Sequence, residues 1–214
     1  MSASVVIGIT GGSGSGKSSL VEALSQSLGA VQVAVLTQDD YYRPIEQQSK
    51  DSSGKVNFDL PEAIDLARFA SGIDELKSGK TITVEEYVFN QSGRKGSTKE
   101  IRPAEVIIVE GLFLLCDDAI RARLDHVVFI ESDHQVQLSR RITRDLNDRG
   151  YPMSEVRYQW DNHVMPAYRN YLLPFREDCD MIIDNSGTLD DMLQEVIDYL
   201  AIRVGLPIAS PQLL

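Results

Sequence analysis

The stretch from Gly11 to Ser18 has the residue types and the spacing of a loop that binds phosphate groups. It reads GGSGSGKS and fits the pattern G-x-x-x-x-G-K-[ST]. Glycines let such a backbone curl until successive N–H groups point at one bound anion. In this pattern the lysine, Lys17, reaches the terminal phosphates of a nucleotide, and the hydroxyl of Ser18 holds Mg²⁺. The residues that we expect to bind the nucleotide are Gly11, Gly12, Ser13, Gly14, Ser15, Gly16, Lys17, Ser18 and Ser19.

Both flanks of this loop have the sequence of the elements that must hold it. Residues 5–9 (VVIGI) are mostly apolar and β-branched, which predicts a buried strand. After the loop, apolar residues recur at helical spacing, and a helix that begins near Lys17 would add free amides and a positive dipole end. A flexible Gly/Ser linker is disfavoured because it would not separate a strand from such a helix. A dinucleotide-binding loop is disfavoured because Ser19 stands where G-x-G-x-x-G requires glycine.

Acidic residues follow two other predicted strands. Residues 31–36 (VQVAVL) precede Asp39, and residues 106–109 (VIIV) precede Glu110. Ligands of open α/β sheets gather beyond the carboxyl ends of the strands. Asp39 could accept the proton of a hydroxyl group that attacks the γ-phosphate, or help to hold a metal, and Glu110 is a candidate Mg²⁺ group. The structural alternatives are a cap or turn residue for Asp39 and a strand-end turn for Glu110.

A basic cluster is notable because the chain as a whole carries a formal net charge of −11. We expect it on a helix that Asp133 caps. The packed face of this helix would consist of Leu138, Ile142 and Leu146. Arginines on its other sides could clamp a phosphoryl group during transfer; they are Arg140, Arg141, Arg144 and, beyond them, Arg149. The alternative is a solvated face on which the arginines pair with Asp145 and Asp148.

Buried strands that alternate with helices predict an α/β fold, with a parallel five-stranded sheet and helices on both faces. The strands are expected near residues 5–9, 31–36, 106–109, 126–130 and 181–183. We expect a single domain over residues 1–214, interrupted by a β-hairpin at about 81–103 and carrying a helical lid at about 133–153. Insertions of the hairpin kind often cover a substrate.

Three local predictions concern the rest of the chain. Pro61 suits the first turn of a helix, for which Asp59 is a possible cap. Residues 154–175 are mostly helical, with breaks at the two prolines, Pro166 and Pro174. His163 has no partner at metal-binding spacing and is interpreted as an ordinary polar residue.

Composition restricts the class of protein. No apolar run approaches the ~18 residues that would span a membrane, and the acidic balance argues against general binding of nucleic acid. The N-terminal residues show no basic region of a signal peptide. The only cysteines, Cys116 and Cys179, lack metal spacing and favour a reducing compartment. We therefore expect a cytoplasmic protein.

The order of its motifs gives the chain a specific resemblance. From Val5 to Ile183 it resembles the uridine–cytidine kinases, P-loop kinases related to phosphoribulokinase and pantothenate kinase. The motifs that carry the resemblance are the phosphate loop, Gln38-Asp39 with Tyr42-Arg43, Asn57-Phe58-Asp59, the hairpin near Tyr87, Glu110-Gly111, and Arg140-Arg141 through Arg149-Gly150. The implied reaction moves the γ-phosphoryl group of ATP or GTP to the 5′-hydroxyl of a pyrimidine nucleoside. The resemblance also implies a homo-oligomer.

The resemblance implies a role for each matched residue. Asp39 would be the general base on the ribose 5′-hydroxyl, close to Mg²⁺, which Ser18 and Glu110 would bind directly or through water. Lys17, Arg144 and Arg149 would act on the phosphates, the two arginines by closing the lid. The nucleoside would be held by Asp59 and Arg141 at the ribose hydroxyls, by the rings of Tyr42, Phe58 and Tyr87 at the base, and by Gln159 nearby.

Two positions depart from the family pattern. Ser92 stands where the family has a histidine that reads the pyrimidine, and Tyr151 replaces the second arginine of an Arg-Gly-Arg motif. A related P-loop kinase of another small alcohol is therefore the alternative function. A nucleotide-dependent switch is disfavoured, because the N-K-x-D base reader of such GTPases is absent from the sequence.

Overall fold

In the computed structural model, which describes residues 4–28, 33–90 and 96–205, the described strands form two sheets. In chain order the strands are β1 (Val5–Gly11), β2 (Val33–Thr37), β3 (Ile82–Glu85), β4 (Thr98–Ile101), β5 (Val106–Glu110), β6 (His126–Glu131) and β7 (Met181–Asp184). Five of them form a parallel sheet in the order β2-β5-β1-β6-β7. This sheet confirms the predicted fold class and all five predicted strand positions within the described residues.

Helices cover both faces of the parallel sheet. They are α1 (Lys17–Ser27), α2 (Leu66–Lys77), α3 (Asp118–Arg121), α4 (His134–Asn147), α5 (Met153–Gln159), α6 (Met165–Ala167) and α7 (Leu189–Val204). On one face, Leu24 of α1 and Val196 of α7 pack on the sheet, whereas Phe69 of α2 and Trp160 belong to the core on the other. Strands buried on both faces are continuous apolar runs, which explains why they could be predicted.

The helix α2 begins later than the sequence indicated. Pro61–Ala63 forms only a short 3-10 turn, and the α-helix starts at Leu66. Its cap is Asp65, whose carboxylate accepts a hydrogen bond from the N–H of Arg68, so a capping role for Asp59 is wrong. The delay has a tertiary cause, because Ile64 is extended and forms an antiparallel bridge with Tyr42.

The helix α4 buries a polar face. Asp133 caps it as predicted, by accepting hydrogen bonds from the N–H groups of the first turn. The predicted packed face is wrong, because Leu146 is 39% exposed and the other two residues of that face are only partly buried. The buried residues are Gln137, Arg141 and Asp145. This face covers the phosphate loop, and its charged side chains are paired with polar groups there.

Residues 153–178 remain helical across the first predicted break. Between α5 and α6, Trp160–Val164 is π-helical. After α6, Tyr168–Leu172 is also π-helical, and a 3-10 segment, Leu173–Asp178, follows it. Pro166 therefore does not end the helix. Proline has no N–H to form the usual i to i−4 hydrogen bond, but the π-helical turns on both sides of it use a different hydrogen-bonding pattern. Pro174 lies where the helix tightens, so the second predicted break is present.

The strands β3 and β4 form the predicted hairpin, with Ile82 opposite Ile101. The strand β3 ends at Glu85, although the N–H of Glu86 still donates to the main-chain oxygen of Ser97 at 2.9 Å. Residues 91–95 lie outside the described residues. Ser92 is among them. Among the described helices, none has the length and apolar content needed to cross a bilayer.

Candidate active site

The phosphate loop joins the end of β1 to the start of α1 in a conformation that requires glycine. Gly14 and Gly16 have φ angles of +79° and +106°, in the left-handed region. A Cβ atom on Gly14 would lie 2.4 Å from the main-chain oxygen of Gln137. Lys17 follows as the first residue of α1, so the free N–H groups of that helix face the loop.

Two residues that we did not single out from the sequence brace this loop. Asn185 donates a hydrogen bond of 2.7 Å from its side-chain amide to the main-chain oxygen of Ser15. Gln137 packs against the glycines, and its amide donates to the main-chain oxygen of Ser132 at 2.7 Å. Asn185 directly follows β7, so the rule that ligands gather at the carboxyl edge of the sheet could have indicated it.

Lys17 is held over the loop by two hydrogen bonds. Its ammonium group donates to the main-chain oxygens of Gly11 at 3.0 Å and Gly12 at 3.1 Å. Burial lowers the pKa of Lys17, while the carboxylates of Glu110 and Asp39 act in the opposite direction. The amine thus lies among acceptors at the mouth of the loop.

A cleft of about 440 Å³, the main cleft, lies beside this loop and collects residues from distant parts of the chain. From the loop and α1 it is lined by Ser13, Gly14, Gly16, Lys17, Ser18 and Ser19. Its acidic residues are Asp39, Asp59 and Glu110, and its basic residues beyond Lys17 are Arg140, Arg141, Arg144 and Arg149. The main cleft therefore brings together the predicted phosphate, acid and arginine groups.

Asp39 and Glu110 reach the main cleft from neighbouring strand ends. Asp39 lies in a 3-10 turn, Gln38–Tyr41, directly after β2, and its side chain is 48% exposed. Glu110 is the last residue of β5, is buried, and accepts a hydrogen bond of 2.7 Å from the hydroxyl of Thr37. Burial raises the pKa of Glu110, and the nearby charge of Lys17 opposes that rise.

The oxygen atoms at this edge suit a hard divalent cation. The hydroxyl of Ser18 and the carboxylates of Asp39 and Glu110 line the same cleft. Mg²⁺ prefers one or two such groups together with phosphate oxygens and water. No group of three or more His, Cys, Asp or Glu residues in the described part of the chain is arranged to hold a metal alone. The donor set therefore fits Mg²⁺ that arrives with a nucleotide.

Arg141 connects the phosphate loop to the far side of the cleft. Its guanidinium donates to the hydroxyl of Ser13 at 2.9 Å and to the side-chain oxygen of Gln159 at 3.0 Å. The same group lies 3.9 Å from the carboxylate of Asp59 and 3.2 Å from that of Asp145. Because only 7% of Arg141 is exposed, these partners fix the position of its charge.

Asp145 holds two further arginines of the cluster. It is fully buried, accepts a hydrogen bond of 2.8 Å from Arg144, and lies 3.5 Å from Arg149. A solvated face with surface-strength pairs is therefore wrong for this helix. Arg149 also lies 3.8 Å from a carboxylate oxygen of Asp39 and 3.8 Å from the centroid of the Phe89 ring. Burial lowers the pKa of Arg149.

The three predicted aromatic residues form one cluster. The ring centroid of Tyr42 lies 5.8 Å from that of Phe58 and 5.3 Å from that of Tyr87. Phe89, which we did not single out from the sequence, completes the cluster at 5.2 Å from Tyr42 and 4.9 Å from Tyr87. Its only sequence signal was its place within the predicted hairpin, at about 81–103.

A smaller space of about 30 Å³, the inner cavity, lies behind the cleft. Its wall includes Phe58, Asp59, Gln159 and two residues without a predicted role, Tyr151 and His163. His163 is only 2% exposed, and its Nε2 lies 2.7 Å from the carboxylate of Asp51. Its place in this wall was not predicted, because a single histidine carries no pattern in the sequence.

Comparisons with known proteins identify the family of this chain. Residues 6–191 match the model of the "Phosphoribulokinase / Uridine kinase family". A uridine kinase of Clostridium perfringens is 35% identical over 86% of this chain and 88% of its own length. Uridine-cytidine kinase B of Dictyostelium discoideum is 31% identical over 92% and 82%. The structure of phosphoribulokinase from Rhodobacter spheroides superposes with a TM-score of 0.62 at 17% identity, over 85% of this chain and 70% of that one. The chain therefore belongs to the phosphoribulokinase and uridine kinase family.

Proposed function

We propose that this kinase transfers the γ-phosphoryl group of ATP or GTP to the 5′-hydroxyl of a pyrimidine nucleoside such as uridine or cytidine. Membership of the family makes the protein a P-loop kinase. The observation that carries the proposal is the shared main cleft, in which Asp39 faces the phosphate loop and Asp59 lies beside Arg141. The relatives named uridine kinase support a nucleoside as the acceptor.

On the donor side, the amides of the phosphate loop and the start of α1 bind the β- and γ-phosphates. Lys17 leaves its hydrogen bonds to Gly11 and Gly12 and donates to the phosphates instead. Ser18 would hold Mg²⁺, and Glu110 and Asp39 would act on the ion directly or through water. The ion, when bound, neutralises charge on the phosphate oxygens.

On the acceptor side, Asp59 and Arg141 bind the ribose 2′- and 3′-hydroxyls. Arg141 is already oriented for this role by Ser13 and Gln159. The aromatic cluster around Tyr42 packs on the base. Holding the nucleoside at both ends places its 5′-hydroxyl between Asp39 and the phosphate loop.

The chemical step is an in-line displacement. The 5′-oxygen forms a bond to the γ-phosphorus, and the bond from that phosphorus to the bridging oxygen of the nucleoside diphosphate breaks. The proton of the 5′-hydroxyl passes to the carboxylate of Asp39. Arg144 and Arg149, both of which line the main cleft, stabilise the charge on the transferring group.

A panel of acceptors tests the proposal. The purified protein is incubated with ATP or GTP, Mg²⁺ and each of several nucleosides and small alcohols, and products are identified by mass spectrometry. Formation of uridine or cytidine 5′-monophosphate supports it. Turnover of another alcohol with no pyrimidine product would assign the protein to a different acceptor. Nucleotide hydrolysis that needs a protein partner and no acceptor would indicate a switch.

Three broader properties belong to the same proposal. We place the whole chain in one kinase domain with the hairpin and α4 as its acceptor-side and lid elements. Both cysteines are free thiols, and burial raises the pKa of Cys116 to about 11 and of Cys179 to about 12. Unpaired, unreactive thiols favour the cytoplasm. A homo-oligomer remains a prediction.

A further inference from the structure

The main chain at Arg149 lies just beyond the end of α4. The helix ends at Asn147, and Gly150, with a φ angle of +68°, turns the chain away from the helical path. The N–H of Tyr151 then donates to the main-chain oxygen of Asp145 at 2.9 Å. This bond closes the end of the helix around Arg149 but does not involve the carbonyl group of Arg149.

That carbonyl group is bound from the hairpin, by Asn90. The side-chain amide of Asn90 donates a hydrogen bond of 3.0 Å to the main-chain oxygen of Arg149, across 59 positions of the sequence. The ring of the preceding residue, Phe89, lies 3.8 Å from the guanidinium of the same arginine. Two consecutive residues of the hairpin thus contact both the main chain and the side chain of Arg149.

Asn90 has a backbone conformation that most residues avoid. Its φ angle is +56°, and within residues 4–28, 33–90 and 96–205 it is the one residue other than glycine with a positive φ. Asparagine tolerates this region better than most residues do, because its side chain is short and polar. Backbone conformations of this kind cluster at functional sites. Here the conformation accompanies a contact with an arginine of the main cleft.

The carboxylates near Arg149 attract its charge without fixing its orientation. Its guanidinium lies 3.8 Å from Asp39 and 3.5 Å from Asp145. Both distances exceed those of a good hydrogen bond, so neither carboxylate holds the planar group in one direction. The ring of Phe89 and the bond from Asn90 supply the further constraint on this side chain.

We propose that Asn90 is a positioning residue for the transfer step, which holds Arg149 in the orientation that stabilises the charge of the transferring phosphoryl group. The inference rests on the proposed function for the role of Arg149, but not on the identity of the acceptor alcohol. Asn90 acts through the main chain from which the guanidinium extends, while Phe89 supports the face of that group. A cation that is already oriented needs no reorganisation when charge develops on the phosphoryl group.

The hairpin is also attached at its base, so the loss of the Asn90 bond can leave it in place. Lys99 of β4 forms an ion pair of 2.7 Å with Asp40, whose side chain is only 7% exposed. The N–H of Glu86 donates to the main-chain oxygen of Ser97 and continues the pairing of the two strands. Variants of Asn90 therefore test its contact with Arg149 separately from the fold of the hairpin.

The first test compares Asn90→Gly with Asn90→Ala, using the alcohol that the panel of acceptors identifies. Both changes remove the amide, but only alanine keeps a Cβ atom in the left-handed conformation. We expect both variants to lower kcat by about three- to tenfold, as the loss of one hydrogen bond implies, with the ATP KM close to that of the wild type. The thermal midpoint should be lower for alanine than for glycine. Thr83→Ala, at an exposed position of β3, is the control and should keep the wild-type kcat.

The second test repeats Asn90→Gly in an Arg149→Ala protein, and it separates positioning from a structural role. The Arg149→Ala variant keeps the main-chain oxygen that Asn90 binds, but it has no guanidinium to orient. If Asn90 acts through Arg149, its replacement should change kcat by less than about twofold in this background. An equal loss in both backgrounds would overturn the inference, as would wild-type kcat in both Asn90 variants.

Two further outcomes distinguish this inference from the proposed function. If Arg149→Ala alone keeps the wild-type kcat, the role of Arg149 is wrong and the inference fails, although formation of a pyrimidine nucleoside monophosphate would still support the proposed function. If the wild type phosphorylates no acceptor, the proposed function fails and the inference fails with it.

Discussion

The side-chain amide of Asn185 donates a 2.7 Å hydrogen bond to the main-chain oxygen of Ser15, across 170 positions of the sequence. Asn185 is buried and follows the edge strand β7, whereas Ser15 lies at the centre of the phosphate loop. A Cβ atom on the adjacent Gly16 would lie 2.3 Å from the same amide nitrogen. The edge of the sheet thus fixes the shape of the loop before any nucleotide binds.

Replacement of Asn185 by alanine should therefore weaken both the fold and the nucleotide site. The main-chain oxygen of Ser15 would lose its buried donor, at a cost of about 1–3 kcal/mol in the free energy of unfolding. We also expect the ATP KM to rise several-fold. Urea denaturation and steady-state kinetics measure the two effects. The matched control is Asn162→Ala, because Asn162 is exposed and its amide donates to the main-chain oxygen of Tyr158. An equal effect of both variants would contradict the role of Asn185 in bracing the phosphate loop.

Two glycines with the same φ angle allow the cost of backbone strain to be separated from the cost of a steric clash. Gly14 and Gly54 both have φ of +79°, but a Cβ atom on Gly54 would meet no atom within 4 Å. We expect Gly54→Ala to cost about 1 kcal/mol of stability, from the left-handed conformation alone. The Gly14→Ala variant should cost at least about 2 kcal/mol and lose nucleotide affinity, because its Cβ would overlap the backbone of Gln137. Similar losses in urea denaturation would contradict this explanation.

Asp39→Asn should lower kcat by about 10²-fold or more, because the amide cannot accept the hydroxyl proton. Nucleotide affinity, measured by calorimetry, should remain nearly unchanged, since the loop and Lys17 are intact. Asp74→Asn is the control, because Asp74 forms an exposed pair with Arg123 at 2.6 Å. Unaltered turnover in the Asp39 variant would remove this residue from the role of base.

Arg149→Lys tests whether the shape of the guanidinium contributes beyond its charge. The planar group lies over the Phe89 ring and near Asp39, a geometry that an ammonium group does not reproduce. We expect kcat to fall about tenfold or more, with little change in stability. Arg157→Lys, at an exposed position of α5, provides the comparison. Wild-type kcat in the Arg149 variant would limit the role of this residue to charge.

The ion pair of Glu131 with Arg176 should make stability depend on pH. Hydrogen bonds from Arg176 lower the pKa of Glu131 in the folded protein, although burial opposes them. The pair therefore stabilises the protein above the unfolded-state pKa, and this contribution disappears as the pH falls through the folded-state pKa.

The variant that tests this dependence is Glu131→Gln. At pH 7 it should lower the free energy of unfolding by about 1 kcal/mol, and the difference from the wild type should shrink below about pH 4. Urea denaturation at pH 7 and pH 3.5 measures it, with the exposed Glu62→Gln as control. If the difference in the free energy of unfolding between variant and wild type does not change with pH, the pair of Glu131 with Arg176 is not the source of the pH dependence.

The fold could be predicted where the information is local. Residues 106–109 are apolar without interruption, and every one of them is fully buried between two helical layers. The face of α4 could not be predicted in this way. Arg141 and Asp145 are polar by type, and they are buried as a pair. Arg141 is satisfied by Ser13, 128 positions away, and by Gln159 of a different helix. The apolar pattern therefore selected the wrong face.

The same distinction applies to the candidate site. The phosphate loop is contiguous, and two of its three positive-φ glycines, Gly11 and Gly16, lie at positions that the pattern names. Phe89, Asn185 and His163 reach the site from a hairpin, a strand end and a π-helical turn, and each appears in the sequence as an isolated residue. Only the packing of those elements gives such residues a role.

Arg141 touches both halves of the site, and this sharing has a thermodynamic consequence. One guanidinium contacts Ser13 in the phosphate loop and lies near Asp59 on the opposite wall. A ligand that shifts this guanidinium from either direction changes the position of the charge that the other ligand meets. Any coupling through Arg141 is reciprocal: donor nucleotide changes the affinity for acceptor by the same factor as acceptor changes that for donor.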